Sequence, residues 1–443
     1  MRIRKNIRKN IRRNIRSKKK TKKIDLLGNI KKFFYNLFID TEEEIDEKKN
    51  TVVVEKNNGF NTKEVIIVVI IAVFFGFGAG YTLCSSKPEG IMVSDEINEL
   101  VSTYENILDG YYGEVNEKEL LDAAVEGMIE TLNDPNSYFM SKNETESFNQ
   151  TVEGSFIGVG ITIMYCDDIF QIIDVLPNSP ASKADIAIND YIVEVAGKNV
   201  EGLSMDEVSD LIQGKIGSKV KMVLKRGEEL VEVTVKRDKV VLTSVFGRKI
   251  SGTDVGYIQI QSFASNTFEQ FEKKLTDLEK DKINSLIIDV RGNPGGKLSS
   301  AADILDLFLG KNKVLYRIET KDKVEKVYSK NKEKRSYPIV VLTDCGSASA
   351  AEILAVSLQE NYNDVRVVGT STYGKGTIQK AFPLSSGSTV KYTTQKWLTP
   401  KGEWLNDIGV TPDIIVEQSE LYYGTQNEDD DAMLQKAIEL LKK

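Results

Sequence analysis

The chain has 443 residues, of which 41% are hydrophobic and 28% charged, and none is histidine. Without imidazole there is no Ser-His-Asp or Cys-His machinery, no His-ligated zinc and no haem on a proximal His; acid–base chemistry falls to Lys, Tyr, Cys or carboxylates. The net charge of -7 hides a split, because residues 1–64 hold 19 Lys and Arg against 9 Asp and Glu, a net of +10, which leaves the remainder at -17.

Residues 1–23 carry 13 Lys and Arg and no acid, in the repeat Arg4-Lys5-Asn6-Ile7, Arg8-Lys9-Asn10-Ile11, Arg12-Arg13-Asn14-Ile15. If helical, Ile3, Ile7, Ile11 and Ile15 form a narrow apolar stripe suited to anionic membrane lipids. Nucleic acid is the other partner such charge attracts, but no aromatic residue interleaves the basic ones, and none is expected here. Val65 to Ser86 then run 22 residues without a charge, enough for a helix to cross a bilayer core of about 30 Å. A buried core helix and a cleaved signal peptide are the alternatives; the long N-terminal region and the lack of an Ala-x-Ala-like site favour an uncleaved anchor. The basic flank predicts a single-pass membrane protein with a cytoplasmic N-terminus and its acidic bulk outside.

Beyond the anchor, Leu120, Leu121, Ala124, Val125, Met128, Ile129 and Leu132 follow a helical period. The helix ends at Asn133-Asp134-Pro135-Asn136-Ser137. A glycine-marked β segment follows, Phe156 to Ile163, then a strand at Phe170–Val175 and a turn at Pro177–Pro180, where Ser179 is placed to cap a short helix. A strand at Tyr191–Val195, a turn at Gly197, a helix near Asp206–Gln213 and strands at Val220–Leu224 and Leu230–Val235 complete the module. This order resembles a PDZ domain. Gly158, Val159, Gly160 and Ile161 stand where such domains bind a chain-terminal carboxylate with backbone N–H groups; read alone, they are equally a β-turn. Asp185 and Asn189 stand where glycine is usual, and Asp takes positive φ less readily than Asn.

From residue 254 strands alternate with helices: a strand at Val255–Gln261, a helix at Thr267–Lys280, a buried strand at Ser285–Val290, a helix near Ser300–Leu309, a strand at Pro338–Leu342, a helix reaching Glu360 and a strand at Val365–Gly369. That alternation predicts a largely parallel sheet with its site at the strand C-terminal ends. Asn293-Pro294-Gly295-Gly296 lacks the Lys-Ser/Thr end of a P-loop and is either a phosphate cradle or an oxyanion donor. Gly346-Ser347-Ala348-Ser349 opens a helix, where a serine is either an N-cap or a nucleophile. Lys375, between Gly374 and Gly376, is either a solvated charge or, if burial lowers its pKa, the base that a histidine-free chain needs. Cys84, Cys166 and Cys345 form no C-x-x-C pair, so neither a disulfide framework nor a zinc site is indicated; no metal or cofactor is expected.

Four ordered motifs then fall into place: Gly158-Val-Gly-Ile161, Asp289-Val-Arg-Gly-Asn-Pro-Gly-Gly296, Gly346-Ser-Ala-Ser-Ala-Ala-Glu352 and Tyr373-Gly-Lys-Gly-Thr-Ile-Gln379, trailed by Trp397–Gly402 and Gly409–Asp413. Over residues 95–416 the chain resembles the C-terminal processing peptidases, tail-specific serine proteases. The resemblance implies an α+β multidomain protein: a basic cytoplasmic tail (1–64), a single transmembrane helix (65–86), a helical N-terminal region (87–150), a PDZ domain (151–238), a ClpP/crotonase-like α/β serine protease core (239–416) and a helical tail (417–443). It implies Ser349 as nucleophile, Lys375 as base, Gln379 as its orienting partner, and the N–H groups of Gly296 and Ala350 as oxyanion hole. Ala351 replaces a serine common in the family, which keeps Ser347 in view beside Ser349. It further implies protein substrates held by free C-terminal tails, and dimerisation through terminal helices, against which packing of the amphipathic 432–443 segment on its own domain is the alternative. The rival reading is a catalytically inactive PDZ scaffold at the membrane.

Overall fold

The computed structural model describes residues 94–442 apart from 167, 332–334 and 426. The basic repeat and the 65–86 span lie outside the described residues; among those described, no helix is long and apolar enough to cross a membrane. The chain divides into two units, 1–106 and 107–443, and the second holds every element from residue 117 onward.

Helices α1 (Asp95–Gly110) and α2 (Glu117–Glu130) come first. Asn116 caps α2 by accepting the N–H groups of Lys118 and Glu119, and Asn133 turns the chain at φ 51°. A short strand β1 (Tyr138–Met140) follows, then α3 (Lys142–Glu153). Ser141 and Glu144 form a capping box at its start, and Gly154 closes it in the left-handed region.

The next module is antiparallel. Strands β2 (Ser155–Gly158), β3 (Ile161–Cys166), β4 (Ile169–Val175), β5 (Tyr191–Val195), β6 (Lys198–Asn199), helix α4 (Met205–Ile212), and strands β7 (Lys219–Arg226), β8 (Glu229–Lys236) and β9 (Asp238–Val241) follow in order. The sheet runs β3-β4-β5-β7-β8, with β2 and β9 paired as the neck through which the chain enters and leaves. Phe170, Ile172, Val195, Val208, Val220, Met222 and Leu224 fill its core. Asp185 and Asn189 both adopt positive φ, 59° and 72°. Arg226 holds that segment by donating to the Asp185 carbonyl at 2.6 Å and to both oxygens of buried Asp190 at 2.8 Å. One expectation is corrected: Ser179 starts no helix. Residues 180–185 form turns, because the left-handed Asp185 ends the run before a second helical turn can close.

The core sheet has the order β10 (Val245–Lys249), β11 (Val255–Ile260), β12 (Ser285–Asp289), β15 (Ile339–Thr343), β16 (Val365–Gly369) and β19 (Ile414–Ile415). All neighbours are parallel except β10 and β11. Every residue of β12 and β15 is buried, as a strand covered on both faces requires. Leu286, Ile288, Ile339 and Val341 face α5 (Thr267–Lys280), α6 (Leu298–Asp306) and α7 (Ala350–Asn361). Ile287, Val340 and Leu342 point the other way, against Met433, Leu434, Ala437 and Ile438 of the C-terminal helix. A second sheet holds β1, β13 (Val314–Glu319), β14 (Val324–Tyr328), β17 (Thr377–Pro383) and β18 (Thr389–Leu398). After the short α8 (Glu420–Thr425), the final helix α9 (Ala432–Leu441) lies on its own domain's sheet. That decides where the amphipathic face of the 432–443 segment goes.

Candidate active site

The site lies where β12, β15 and β16 end. After β12, Asn293 is wholly buried and pins the glycine loop. Its side chain donates to Ile260 O and accepts Gly295 N–H, both at 2.8 Å, and its carbonyl accepts Ala348 N–H at 2.9 Å. Gly295 (φ 95°) then passes flush against the next loop, since a Cβ there would sit 2.7 Å from Ala348 O and 2.8 Å from Ser349 Cβ. Gly296 (φ 136°) is held as tightly, with a would-be Cβ 2.2 Å from Phe263 O. The N–H groups of Gly296 and Ala350 donate no hydrogen bond among the described residues. Both belong to a glycine-loop–helix-start junction of the kind that suits a developing oxyanion.

Beyond β15 the two serines part company. Ser347 is fully buried, its hydroxyl 2.8 Å from Val290 O and 3.0 Å from the Asp344 N–H. It serves the turn. Ser349 is half-buried at the N-terminus of α7 with φ 54° and ψ -110°. A non-glycine residue held there is strained, and a sharp strand-to-helix turn is how such folds lift a serine clear of the sheet.

Sequence reasoning assigned no role to Glu352, and it organises the site. It is fully buried and accepts four hydrogen bonds. Oε2 takes Ser349 N–H at 2.6 Å and Lys375 N–H at 2.9 Å; Oε1 takes Thr372 O–H at 2.6 Å and Gly374 N–H at 2.7 Å. A single oxygen therefore joins the backbone of the serine to that of the lysine. The signal was present as Ser-x-x-Glu, a capping pattern; its reach to residues 372–375 was not.

Lys375 is clamped further. Its carbonyl accepts the indole N–H of buried Trp397 at 2.6 Å. Glycines flank it of necessity: a Cβ on Gly374 would meet Ile408 N at 2.8 Å, and one on Gly376 would meet Trp404 Nε1 at 2.4 Å. Burial holds the Lys375 ammonium below its ordinary pKa, Lys391 pushes the same way, and Asp134 and Glu352 oppose them. Gln379 donates through Nε2 to the hydroxyls of Thr377 and Thr393, at 2.9 and 3.0 Å. In the β-module, Gly158–Ile161 forms the bend between β2 and β3, Val159 is buried and Gly160 has φ 86°. The adjoining β3 is a sheet edge, open to an added strand. No group of residues that could hold a metal occurs among the described residues.

A PDZ-like module at the side of an α/β core, with a serine on a strained turn beside a half-buried lysine, is the architecture of a PDZ-bearing serine peptidase. Comparison with known proteins agrees. The model of peptidase family S41 matches residues 254–416, a PDZ domain model 171–226, and a model of the activating protease CtpB N-terminal domain 81–145. The carboxy-terminal processing protease CtpB of Bacillus subtilis (strain 168) is 38% identical over 333 residues, covering 74% of this chain and 69% of that protein. CtpA of the same organism is 38% identical over 324 residues, covering 73% and 69%. Among solved structures, a photosystem II D1 C-terminal processing protease aligns over 72% of this chain and 86% of its own at 28% identity and TM-score 0.43. The chain belongs to the C-terminal processing proteases of peptidase family S41, and is a serine peptidase with a PDZ domain.

Proposed function

We propose that this chain is a membrane-anchored endopeptidase that takes the free C-terminal tails of protein substrates into its PDZ groove and cleaves them with a Ser349–Lys375 dyad. The observation that carries the reading is the Glu352 bridge between the Ser349 and Lys375 backbones. Neutral Lys375 removes the Ser349 hydroxyl proton as Oγ attacks the peptide carbonyl. The N–H groups of Gly296 and Ala350 hold the resulting oxyanion; one such donor is typically worth on the order of a hundredfold or more in rate. Lys375 then gives its proton to the leaving amine; neutral again, it takes a proton from the water that hydrolyses the acyl-enzyme and returns it to Ser349 Oγ. Gln379 orients the lysine. The Gly158–Ile161 loop receives the tail carboxylate while the tail pairs with β3.

The uncharged run 65–86, with basic residues before it, supports an anchor whose peptidase lies outside the cytoplasm. Leu121, Met128 and Leu132 fall on one stripe of α2 and its end, each about half exposed, which supports a homodimer joined through that face. In a cleavage assay on an unfolded protein with an apolar C-terminus, Ser349→Ala and Lys375→Ala each abolish turnover. Full activity in either variant overturns the dyad, and inactivity of the wild-type chain on every such substrate favours the scaffold. Because the base must be neutral, activity rises with pH through the lowered pKa of Lys375.

A further inference from the structure

The surroundings of Lys375 are not all supplied by the protease core. Asp134 lies in the turn after α2, far upstream of the residues that match the S41 family. Its Oδ1 accepts the Asn136 N–H at 3.0 Å and its Oδ2 the Ser137 hydroxyl at 2.6 Å. Ser137 is buried, and its Oγ in turn accepts the Thr393 N–H of β18 at 3.0 Å. Thr393 Oγ1 accepts from Gln379. Asp134, Ser137, Thr393 and Gln379 are thus joined in series, Ser137 to the Thr393 backbone N–H and Gln379 to the Thr393 hydroxyl.

A bulge makes this chain possible. Ile378 pairs with Gln395, but Gln379 pairs with Thr393, so Thr394 is skipped. The skipped residue brings Thr393 and Gln379 opposite each other, as bulges near active sites do. With both amide hydrogens of Gln379 spent on Thr377 and Thr393, only its Oε1 remains to accept from an amine.

The same N-terminal segment also holds the competing cation. Tyr138 of β1 pairs with Lys391 of β18. The Lys391 ammonium donates to the Tyr138 hydroxyl at 2.9 Å and sits 4.9 and 5.0 Å from the Tyr138 and Phe148 ring centres. Burial and the Lys391 ammonium on β18 lower the Lys375 pKa, while Asp134 in the turn after α2 and Glu352 on α7 raise it. Glu352 keeps its charge while it accepts four bonds; Asp134 and Lys391 are the opposed pair held by the N-terminal segment.

We propose that Asp134 is a positioning residue of the peptidase: through Ser137 and Thr393 it sets the Gln379 amide, and against Lys391 it supplies the counter-charge of the lysine's pocket. This rests on the reading of Lys375 as base. It makes the segment 133–148 a working part of the active site, so that proteolysis depends on the N-terminal region being docked on the β17–β18 hairpin.

The test is the pH profile of kcat/KM of the full chain in detergent, on one peptide substrate, with thermal melting as the folding control. Asp134→Asn moves the limb that reports base deprotonation to lower pH, by roughly half a unit or more, because a charge favouring the ammonium is gone. Lys391→Gln moves it the opposite way. Ser137→Ala keeps both charges, so the limb stays in place while kcat falls about tenfold with KM unchanged; Ser137→Thr restores kcat. A limb that stays put in both charge variants overturns the electrostatic role, and an unchanged kcat in folded Ser137→Ala overturns the positioning role. If Asp134→Asn does not fold, Lys391→Gln and the Ser137 pair decide alone. Lys375→Ala separates the two levels: its retaining activity sinks the dyad, whereas its inactivity beside unmoved limbs sinks only the role of Asp134.

Discussion

Gly295 has no room for any side chain. Its φ of 95° and a would-be Cβ 2.8 Å from Ser349 Cβ mean that Gly295→Ala must push either the oxyanion loop or the serine turn. The expected loss in kcat is about a hundredfold, and the strain of the displaced backbone lowers the melting temperature as well. Unchanged kcat would mean that the loop does not define the oxyanion site. At this scale the sequence was legible where spacing alone carried meaning. Spacing marked the glycine loop, the serine-bearing helix start and Lys375, and the family resemblance singled out Gly296, Ser349, Ala350 and Gln379; the fold sets the first two elements at the strand ends and Gln379 in β17. The sequence was not legible for Glu352 or Asp134. A carboxylate's role depends on what meets it: three of the four donors to Glu352 lie 20 to 23 residues away, and Asp134 is linked to the site through Ser137, whose partner Thr393 lies 256 residues beyond it.

Helix α9 is held by a buried ion pair as well as by its apolar face. Asp431 caps it, accepting Leu434 N–H at 3.0 Å, and both its oxygens take 2.9 Å bonds from Arg291, which also grips Asp289. Burial alone would raise the Asp431 pKa, but the Arg291 bonds outweigh it and hold the carboxyl below the usual range. Its contribution is present above the ordinary carboxylate pKa and lost as pH falls through the depressed value. Asp431→Asn is expected to cost about 3 kcal/mol in denaturant melts at neutral pH, with a smaller difference in acid; equal stability at both would show that α9 docks through its apolar residues alone. Elements with a strong local period were readable in advance: α5 spans Thr267–Lys280 and β16 Val365–Gly369, as their patterns predict. Strands β1, β13, β14, β17 and β18 were not. β14 reads Val-Glu-Lys-Val-Tyr and β18 mixes Thr, Lys and Gln through its length, so neither shows a clean two-residue alternation. Their partners decide them, and β1 finds its own in β18.

At the level of the whole molecule, the anchor and the α2 dimer face proposed above can be tested together. In proteoliposomes, a protease added outside should digest the 94–443 part only where that part is exposed, and should spare residues 1–64 on the opposite side; digestion of both together would refute a single span. The solubilised chain should scatter light as two copies, and Met128→Glu as one. By itself the sequence determined the absence of imidazole chemistry, the charge divide at the 65–86 run and the glycine-marked loops that carry Ser349 and Lys375. All of these follow from composition or local spacing. Only the tertiary structure decided that Ser347 is sealed while Ser349 stands on a strained turn, that Glu352 joins the backbones of Ser349 and Lys375, and that a turn after α2 meets β18 opposite Gln379. Those facts depend on burial and on hydrogen bonds between residues remote in the chain, which no local pattern encodes.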